Sequence, residues 1–171
     1  MSSSKGVACA EGAAFSMVLT WPPGRILVAW DQGGVYAVRF LAPGEGAEMS
    51  GASEPPGGGL GPRIRDALAR FQESGDWSGV AELPRKQSAA SEFTSGVWAQ
   101  ISRIPCGSRQ SYGEIAQALG RPGASRAVGR ACGANPIPIL VPCHRVVAAD
   151  GGLGGFSGGL HWKRWLLERE A

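Results

Sequence analysis

Cys143 is followed directly by His144, and a nucleophilic cysteine needs a base nearby. A free thiol has a pKa of about 8.5, so forming the thiolate at neutral pH costs roughly 2 kcal/mol. An imidazole can accept that proton. The chain holds two histidines, His144 and His161, so any Cys–His pair must use one of them. By itself the dipeptide equally fits a buried structural cysteine beside a satisfied histidine, and only the surrounding residues can decide.

The segments on either side of Cys143 differ in character. Before it, residues 135–142 combine three prolines with an apolar stretch, which favours a short strand. After it, residues 151–159 contain six glycines, which favours a lid whose backbone groups touch a ligand. A floppy turn is the alternative for that segment. No Gly-Lys-Ser/Thr follows the glycines, which excludes a phosphate-binding P-loop.

Composition indicates a globular protein of one domain or two small ones. The 171 residues are 43% hydrophobic and 18% charged. No apolar run approaches the roughly 20 residues of a membrane span, and none near the start resembles a signal peptide. We therefore expect no membrane association and a cytoplasmic location, or a nuclear one in a eukaryote. The four cysteines are irregularly spaced without a C-x-x-C motif, which favours reduced thiols over a disulfide framework or zinc ribbon.

Charge divides unevenly along the chain. Residues 1–85 carry seven Lys/Arg and nine Asp/Glu, whereas residues 86–171 carry ten and five. The basic half is suited to a polyanionic partner such as nucleic acid, although many solvated surfaces are also basic.

Residues 1–85 are predicted to form an α/β N-terminal lobe. Three short apolar segments at 15–20, 25–31 and 35–41 alternate with Pro/Gly turns, which indicates an antiparallel three-stranded meander. Residues 42–62 hold seven glycines and four prolines without periodicity, so a surface loop is expected. A helix then begins at Pro62, with Ile64, Leu68 and Phe71 on its apolar face.

Residues 86–171 are predicted to form a mainly helical second lobe. The first helix covers residues 92–104, and the last covers 161–170. Between them, a capping box at 111–114 starts one helix, a Gly/Pro turn follows, and a second short helix runs to about Gly133. This pattern predicts a helix-turn-helix, although such hairpins also occur in ordinary cores.

The second of these short helices is rich in small residues and carries Arg126 and Arg130 four positions apart. Small residues permit close backbone approach to something large, and two arginines on one face suit a DNA groove. The alternative is a tight helix–helix contact with two exposed arginines.

Taken together, these residues resemble the O6-alkylguanine-DNA alkyltransferases, also called methylated-DNA–protein-cysteine methyltransferases. The resemblance is close over residues 93–171 and covers only the strand and helix outline before them. Its motifs are Val97-Trp98, Ile104-Pro105-Cys106-Gly107, Ser111-Tyr112-Gly113-Glu114, Arg126-Ala127-Val128-Gly129, Asn135-Pro136-Ile137-Pro138, Pro142-Cys143-His144-Arg145, Ser157-Gly158-Gly159-Leu160 and Trp165-Leu166-Leu167.

The resemblance implies an RNase H-like N-terminal domain and a C-terminal domain with a winged-helix-like helix-turn-helix and the active site. It implies that the second helix enters the minor groove of duplex DNA containing O6-alkylguanine, that Arg126 fills the gap left by the flipped guanine, and that Tyr112 promotes flipping at the 3′ phosphate. Arg130, where a small residue is usual, would add a phosphate contact.

The resemblance also implies the chemistry. Cys143 would accept the alkyl group in an irreversible, single-turnover displacement, with His144 as base through a bridging water and Glu170 orienting the imidazole. The remaining implied roles are a hinge contact by Asn135, guanine hydrogen bonds from Tyr112 and Ser157, guanine amine acceptance by the Cys143 and Val146 carbonyls, a pocket wall at Pro138, and a nearby Lys163. Activity on O4-alkylthymine is left open.

No cofactor is expected, because the DNA itself is the alkyl donor. Some members of the family bind zinc in the N-terminal lobe, but Cys9 alone, without a histidine, predicts no metal here. The protein is expected to act as a monomer, and cooperative binding along DNA is left open. Phe156 stands where many members have tyrosine, so the pocket wall lacks a hydroxyl.

Two other functions compete with this one. Non-catalytic alkyltransferase-like proteins flag lesions but replace the reactive cysteine, whereas Cys143 is present here. A Cys–His hydrolase would need an oxyanion hole and a deacylating water, and it would leave the basic helix-turn-helix unexplained.

Overall fold

The computed structural model describes residues 15–45, 59–86 and 89–171. Most of the loop predicted at 42–62 lies outside the described residues, as does Cys9. Among the residues described, no helix is long and apolar enough to cross a membrane.

The N-terminal lobe is built on an antiparallel meander of β1 (Phe15–Trp21), β2 (Gly24–Asp31) and β3 (Gly34–Leu41). The predicted strands are confirmed to within one residue at each end. Alternate residues of β2 reach opposite faces: Ile26, Val28 and Trp30 join the main core, while Leu27 and Ala29 join a small second cluster.

Strand β3 is joined to the end of the N-terminal lobe. The Val35 N–H donates to the Pro84 carbonyl at 2.9 Å, and the Lys86 N–H donates back to the Val35 carbonyl at 3.0 Å. Gly34 has a φ of 119°, and a Cβ there would lie 2.5 Å from the Pro84 oxygen. Glycine is therefore required at this position for the chain to pass so closely.

Helix α1 (Leu60–Ser74) covers the sheet, with Ile64, Leu68 and Phe71 fully buried as predicted. The predicted start at Pro62 is wrong by two residues, so the 42–62 loop ends earlier than expected. N–H groups in the first turn of a helix have no partner within the helix, so proline, which lacks an N–H, is tolerated there and the helix can begin before it. A short helix α2 (Ser78–Ala81) follows.

Helix α3 (Glu92–Ile101) begins the C-terminal lobe, and the Ser91 side chain accepts from the Thr94 N–H at its start. The predicted end at Ile104 is wrong. Pro105 disfavours a helical conformation for the residue before it, and the Arg103 and Ile104 N–H groups bond three residues back in a tightened final turn.

The capping box is confirmed at the start of α4 (Tyr112–Ala118), where Ser111 and Glu114 satisfy each other's backbone N–H groups. A turn containing Gly120 and Gly123, both with positive φ, leads to α5 (Ser125–Gly133). The two short helices pack against each other and against α3.

The chain closes through β5 (Val146–Val147), which pairs in parallel with β4 (Gln110–Ser111), and helix α6 (Leu160–Arg169). One hydrophobic core runs through both lobes. The lobes also meet where the Val38 N–H donates to the Pro136 carbonyl at 2.8 Å and where the tilted rings of Phe40 and Trp162 pack with centroids 4.7 Å apart. The α/β lobe and the mainly helical lobe are confirmed; their division at residue 85 stays a prediction.

Candidate active site

The segment before Cys143 is a tight turn and not the strand that its apolar residues predicted. The Val141 N–H donates to the Ile137 carbonyl at 3.0 Å, and Ile139 has a φ of 76°, a left-handed conformation that is costly for a β-branched residue. Prolines 138 and 142 cannot donate to a strand ladder, which explains the difference. Complete burial of Ile139 and Leu140 holds the turn in place.

Cys143 lies at the start of a single 3₁₀ turn, Cys143–Arg145, and is 4% exposed. The buried Asn135 side chain connects this turn to the end of α5. Its Nδ2 donates to the Val141 carbonyl at 2.9 Å and to Cys143 Sγ at 3.3 Å, while its Oδ1 accepts from the Ile137 N–H at 3.1 Å. Asn135 is thus placed to favour negative charge on the sulfur.

The acid–base group beside Cys143 is a buried cluster of His144, Arg145 and Glu170. His144 Nε2 is 2.8 Å from Glu170 Oε1. Arg145 donates through Nη2 to the same oxygen at 2.8 Å and through Nε to Glu170 Oε2 at 3.0 Å. Its Nη1 donates to the Ile104 carbonyl at 2.6 Å. With Nε2 facing the carboxylate, Nδ1 is the nitrogen left to accept a proton, and no described residue hydrogen-bonds to it.

Burial sets the resting protonation of this cluster. Burial lowers the pKa of His144, despite the opposing effect of Glu170, so the imidazole is neutral at pH 7. Burial raises the pKa of the Cys143 thiol, and the Asn135 hydrogen bond and the Lys163 charge only partly offset this. The resting pair is therefore a thiol and a neutral imidazole. The proton must leave the sulfur during the reaction, which is the task of a general base.

Glu170 stays ionised. Burial alone would raise the pKa of this carboxyl, but hydrogen bonds from His144 and Arg145 outweigh it and hold the pKa at about 2. Its side chain is 1% exposed.

We expect the free energy of unfolding to decrease as pH falls. Both groups have folded-state pKa values below their ordinary ones, so the unfolded chain binds more protons. His144 contributes a loss below its ordinary value of 6.5, and Glu170 contributes a further loss between 4.5 and about 2. The Glu170 shift corresponds to at most about 3 kcal/mol.

Urea unfolding midpoints measured across this pH range test the expectation. In Glu170→Gln the decrease below pH 4.5 should be smaller. A wild-type midpoint that stays constant from neutral pH to pH 3 would contradict it.

A cleft of about 580 Å³ opens over Cys143. Five of the residues predicted as functional line it: Tyr112, Arg126, Arg130, Cys143 and Ser157. The glycines of α5 line the cleft without projecting side chains into it. A Cβ at Gly133 would meet nothing within 4 Å, and one at Gly129 would make only ordinary contact with Tyr112. These glycines therefore keep a concave surface open and do not serve a tight helix–helix contact.

Lys163 fastens the glycine-rich segment beside the cleft. Its fully buried Nζ donates to the Val146 carbonyl at 2.5 Å, to the Leu153 carbonyl, and to the Gly155 carbonyl at 3.5 Å. The Val146 oxygen, predicted to accept from guanine, is thus already bonded and keeps one lone pair for another donor. Tyr112 also contacts this segment, since its hydroxyl oxygen accepts a hydrogen bond from the Gly155 backbone N–H.

Pro138 does not line the cleft over Cys143. It lies on a neighbouring cavity of about 420 Å³ against β3, together with Asn135 and Ser157. Ser157 lines both cavities and forms the boundary between them.

Two residues of the site were missed from the sequence. Cys132 on α5 lines the cleft with Cys143, and burial raises the pKa of its thiol to about 12. Arg145 holds Glu170 in place. The position of Arg145 directly after the Cys143-His144 pair was a signal for its role, whereas nothing local distinguished Cys132 from a core residue.

No group of three metal-binding side chains occurs among the residues placed by the structure. The predicted absence of zinc stays a prediction, because Cys9 is not among them.

Comparison with known proteins gives consistent matches. The family model for the DNA-binding domain of 6-O-methylguanine DNA methyltransferase matches residues 92–171. A methylated-DNA–protein-cysteine methyltransferase of Shigella flexneri is 44% identical over 126 residues, which cover 74% of this chain and 69% of the relative. One of Mycobacterium tuberculosis is 56% identical over 79 residues, which cover 46% and 48%.

Solved structures extend the match to the N-terminal lobe. The Mycobacterium tuberculosis O6-methylguanine methyltransferase has a TM-score of 0.71 and 34% identity over 92% of both chains. The Mycobacterium tuberculosis OGT in complex with DNA has a TM-score of 0.71 and 35% identity over 90% of both chains.

Proposed function

Because this chain belongs to the methylated-DNA–protein-cysteine methyltransferase family, we propose that it repairs DNA by moving the alkyl group of O6-alkylguanine onto Cys143. The observation that carries the proposal is the position of Cys143. Its sulfur lies at the cleft beneath α5, hydrogen-bonded to Asn135 and followed by the His144–Glu170 pair.

The displacement uses groups already in place. As Sγ attacks the alkyl carbon, the thiol proton passes through a bridging water to Nδ1 of His144, and Glu170 stabilises the resulting imidazolium. The carbon–O6 bond breaks and its electron pair stays on the guanine. The guanine takes up one proton from solvent and departs as a neutral nucleobase. Asn135 and Lys163 stabilise the developing thiolate.

The product thioether has no good leaving group, so we infer that each molecule reacts once. We infer that Cys132 is not the acceptor, because burial keeps both thiols protonated at rest and only Cys143 adjoins a general base, His144. We propose that the protein acts as a monomer, since Cys143, Asn135, His144 and Glu170 already meet within one chain.

DNA binding is assigned to α5. Arg126 and Arg130 lie on the exposed side of this helix and line the cleft, and neither forms an ion pair with a described residue. We infer that α5 enters the minor groove, where the glycines permit close approach. The guanine is then flipped into the cleft, between Tyr112 and Ser157, and Arg126 takes its place in the stack.

The test uses duplex DNA with a labelled O6-methyl group. One equivalent of label should transfer to the protein, and peptide mass spectrometry should place it on Cys143. Repeated turnover, or label released as methanol, would instead indicate a hydrolase. Lesion binding without transfer would indicate a non-catalytic flagging protein.

Arg126→Ala is expected to slow repair of duplex DNA by about 10- to 100-fold at saturating DNA. Without the arginine side chain in the stack, nothing offsets the cost of a few kcal/mol for flipping the guanine. Reaction with free O6-methylguanine base, which needs no flipping, should be unchanged. Rates on both substrates, measured by loss of the labelled methyl group, provide the check.

Arg130→Ala is the matched control for this prediction, since it removes the same charge one helical turn away. It should weaken DNA binding but leave the saturating rate intact. An equal loss on duplex and free base in Arg126→Ala would refute the proposed role in flipping.

A further inference from the structure

Trp77 belongs to the N-terminal lobe, yet its ring lies against the catalytic cluster of the C-terminal lobe. The Arg145 guanidinium carbon is 4.2 Å from the centre of the Trp77 ring. The His144 ring meets Trp77 edge-on, with centroids 6.0 Å apart and planes inclined by 61°. Arg145 and His144 are buried and Trp77 is half-buried, so the Trp77 ring shields these two side chains from water.

The N-terminal lobe holds Trp77 in this position. Phe71 of α1 packs edge-on against it, with centroids 5.3 Å apart and an interplanar angle of 84°. On its other side the chain turns into α2, where Asp76 accepts from the Ser78 N–H at 2.9 Å. The ring is thus anchored by the lobe that contributes no residue to the cleft over Cys143.

We propose that Trp77 is a positioning residue for the general base, through which the N-terminal lobe controls the orientation and dryness of His144. A planar guanidinium group is attracted to an aromatic face and stacks on it, which restrains its orientation. Trp77 therefore restrains the guanidinium plane of Arg145. Arg145 in turn holds the Glu170 carboxylate through hydrogen bonds, and the carboxylate holds His144 through Nε2. The direct edge contact covers the imidazole itself. The proposal rests on the proposed function only in assigning His144 as the base.

Among the described residues, the charged groups that act on His144 are Glu170, Arg145 and Lys163. Glu170 hydrogen-bonds to the His144 ring, Arg145 donates to Glu170, and the Lys163 charge lowers the pKa of His144. Cys106 interacts electrostatically with Glu170, Arg145 and Asp76 at its outer edge. Because burial is the main influence lowering the pKa of His144, opening the Trp77 side should raise that pKa toward its ordinary value.

The experiment compares pH profiles of Cys143 alkylation in the full chain. Trp77→Leu keeps an apolar side chain but removes the ring. We expect its rate at neutral pH to fall by about tenfold, part of the 10²–10⁴ that a general base supplies. The acid limb of its profile should move to higher pH. Trp77→Phe, which restores a ring, should recover most of the rate and show a smaller shift.

Trp165→Leu is the matched control. Trp165 is also half-buried and also carries an arginine over its ring, since Arg169 lies 5.4 Å from the centroid, but it has no ring contact with His144. It should lose stability without moving the acid limb. If Trp77→Leu does not fold, a partial shift in Trp77→Phe still supports the proposal, and an unshifted Trp77→Phe overturns it.

Two alkyl donors separate this inference from the proposed function. Iodoacetamide reports the base without DNA when peptide mass spectrometry resolves alkylation at Cys143 from that at the exposed Cys106, and duplex O6-methylguanine reports repair. Wild-type protein that reacts with iodoacetamide but not with the duplex would refute the repair function alone. An acid limb unchanged in Trp77→Leu, or moved equally in Trp165→Leu, would refute the role of Trp77 while leaving repair intact.

Discussion

Replacing Cys143 with serine is expected to abolish alkyl transfer, with a decrease of more than about 10³-fold, because the nucleophile and its base act as a unit. A serine hydroxyl is far less acidic than a thiol, and the neutral His144 imidazole cannot ionise it appreciably. The serine occupies similar space beside Asn135, so folding and DNA binding should be retained. Label transfer from O6-methyl duplex DNA and fluorescence anisotropy with the same duplex measure the two properties separately.

Cys132→Ser is the control that the cleft itself offers. Both thiols line the same cavity, but only Cys143 is bonded to Asn135 and adjoins His144. Cys132→Ser should therefore transfer label at close to the wild-type rate, with one equivalent per molecule. Transfer that survives in Cys143→Ser and disappears in Cys132→Ser would show that the acceptor had been assigned to the wrong cysteine.

Replacing Glu170 with glutamine is expected to lower the transfer rate by about 10²-fold or more, within the range that general acid–base catalysis supplies. The amide keeps the volume of the carboxylate but removes the charge that stabilises the His144 imidazolium. It also permits the wrong imidazole tautomer, in which Nδ1 carries the proton. Single-turnover rates at saturating DNA are the appropriate measurement, normalised to the folded fraction.

The same substitution leaves the Arg145 charge buried and unpaired, which costs about 3–5 kcal/mol in comparable sites. Unfolding midpoints should decrease accordingly, while DNA affinity should not change, because Glu170 does not line the cleft. A rate equal to that of wild type would mean that His144 is not the base. A parallel decrease in DNA affinity would mean that the defect is one of folding.

Local sequence patterns determine most of the secondary structure of this protein and the identity of its reactive residues. The three strands, the buried face of α1, the capping box and the adjacent Cys143 and His144 could all be predicted, because each depends on residues a few positions apart. Errors occurred where local rules compete. The predicted start at Pro62 and the predicted end at Ile104 are both wrong by two or three residues. A nearby proline restricts the backbone but does not fix the residue at which the helix begins or ends.

The working parts of the site were decided by tertiary structure. Apolar residues before Cys143 predicted a strand, but burial of Ile139 and Leu140 holds a turn there that places the sulfur against Asn135. The pKa shifts of Cys143, His144 and Glu170 arise from burial, which no local pattern reveals. The contact of Trp77 with Arg145 joins residues 68 positions apart in the chain. Residue types and spacing thus specified the chemistry, whereas long-range packing specified the protonation states and orientation on which that chemistry depends.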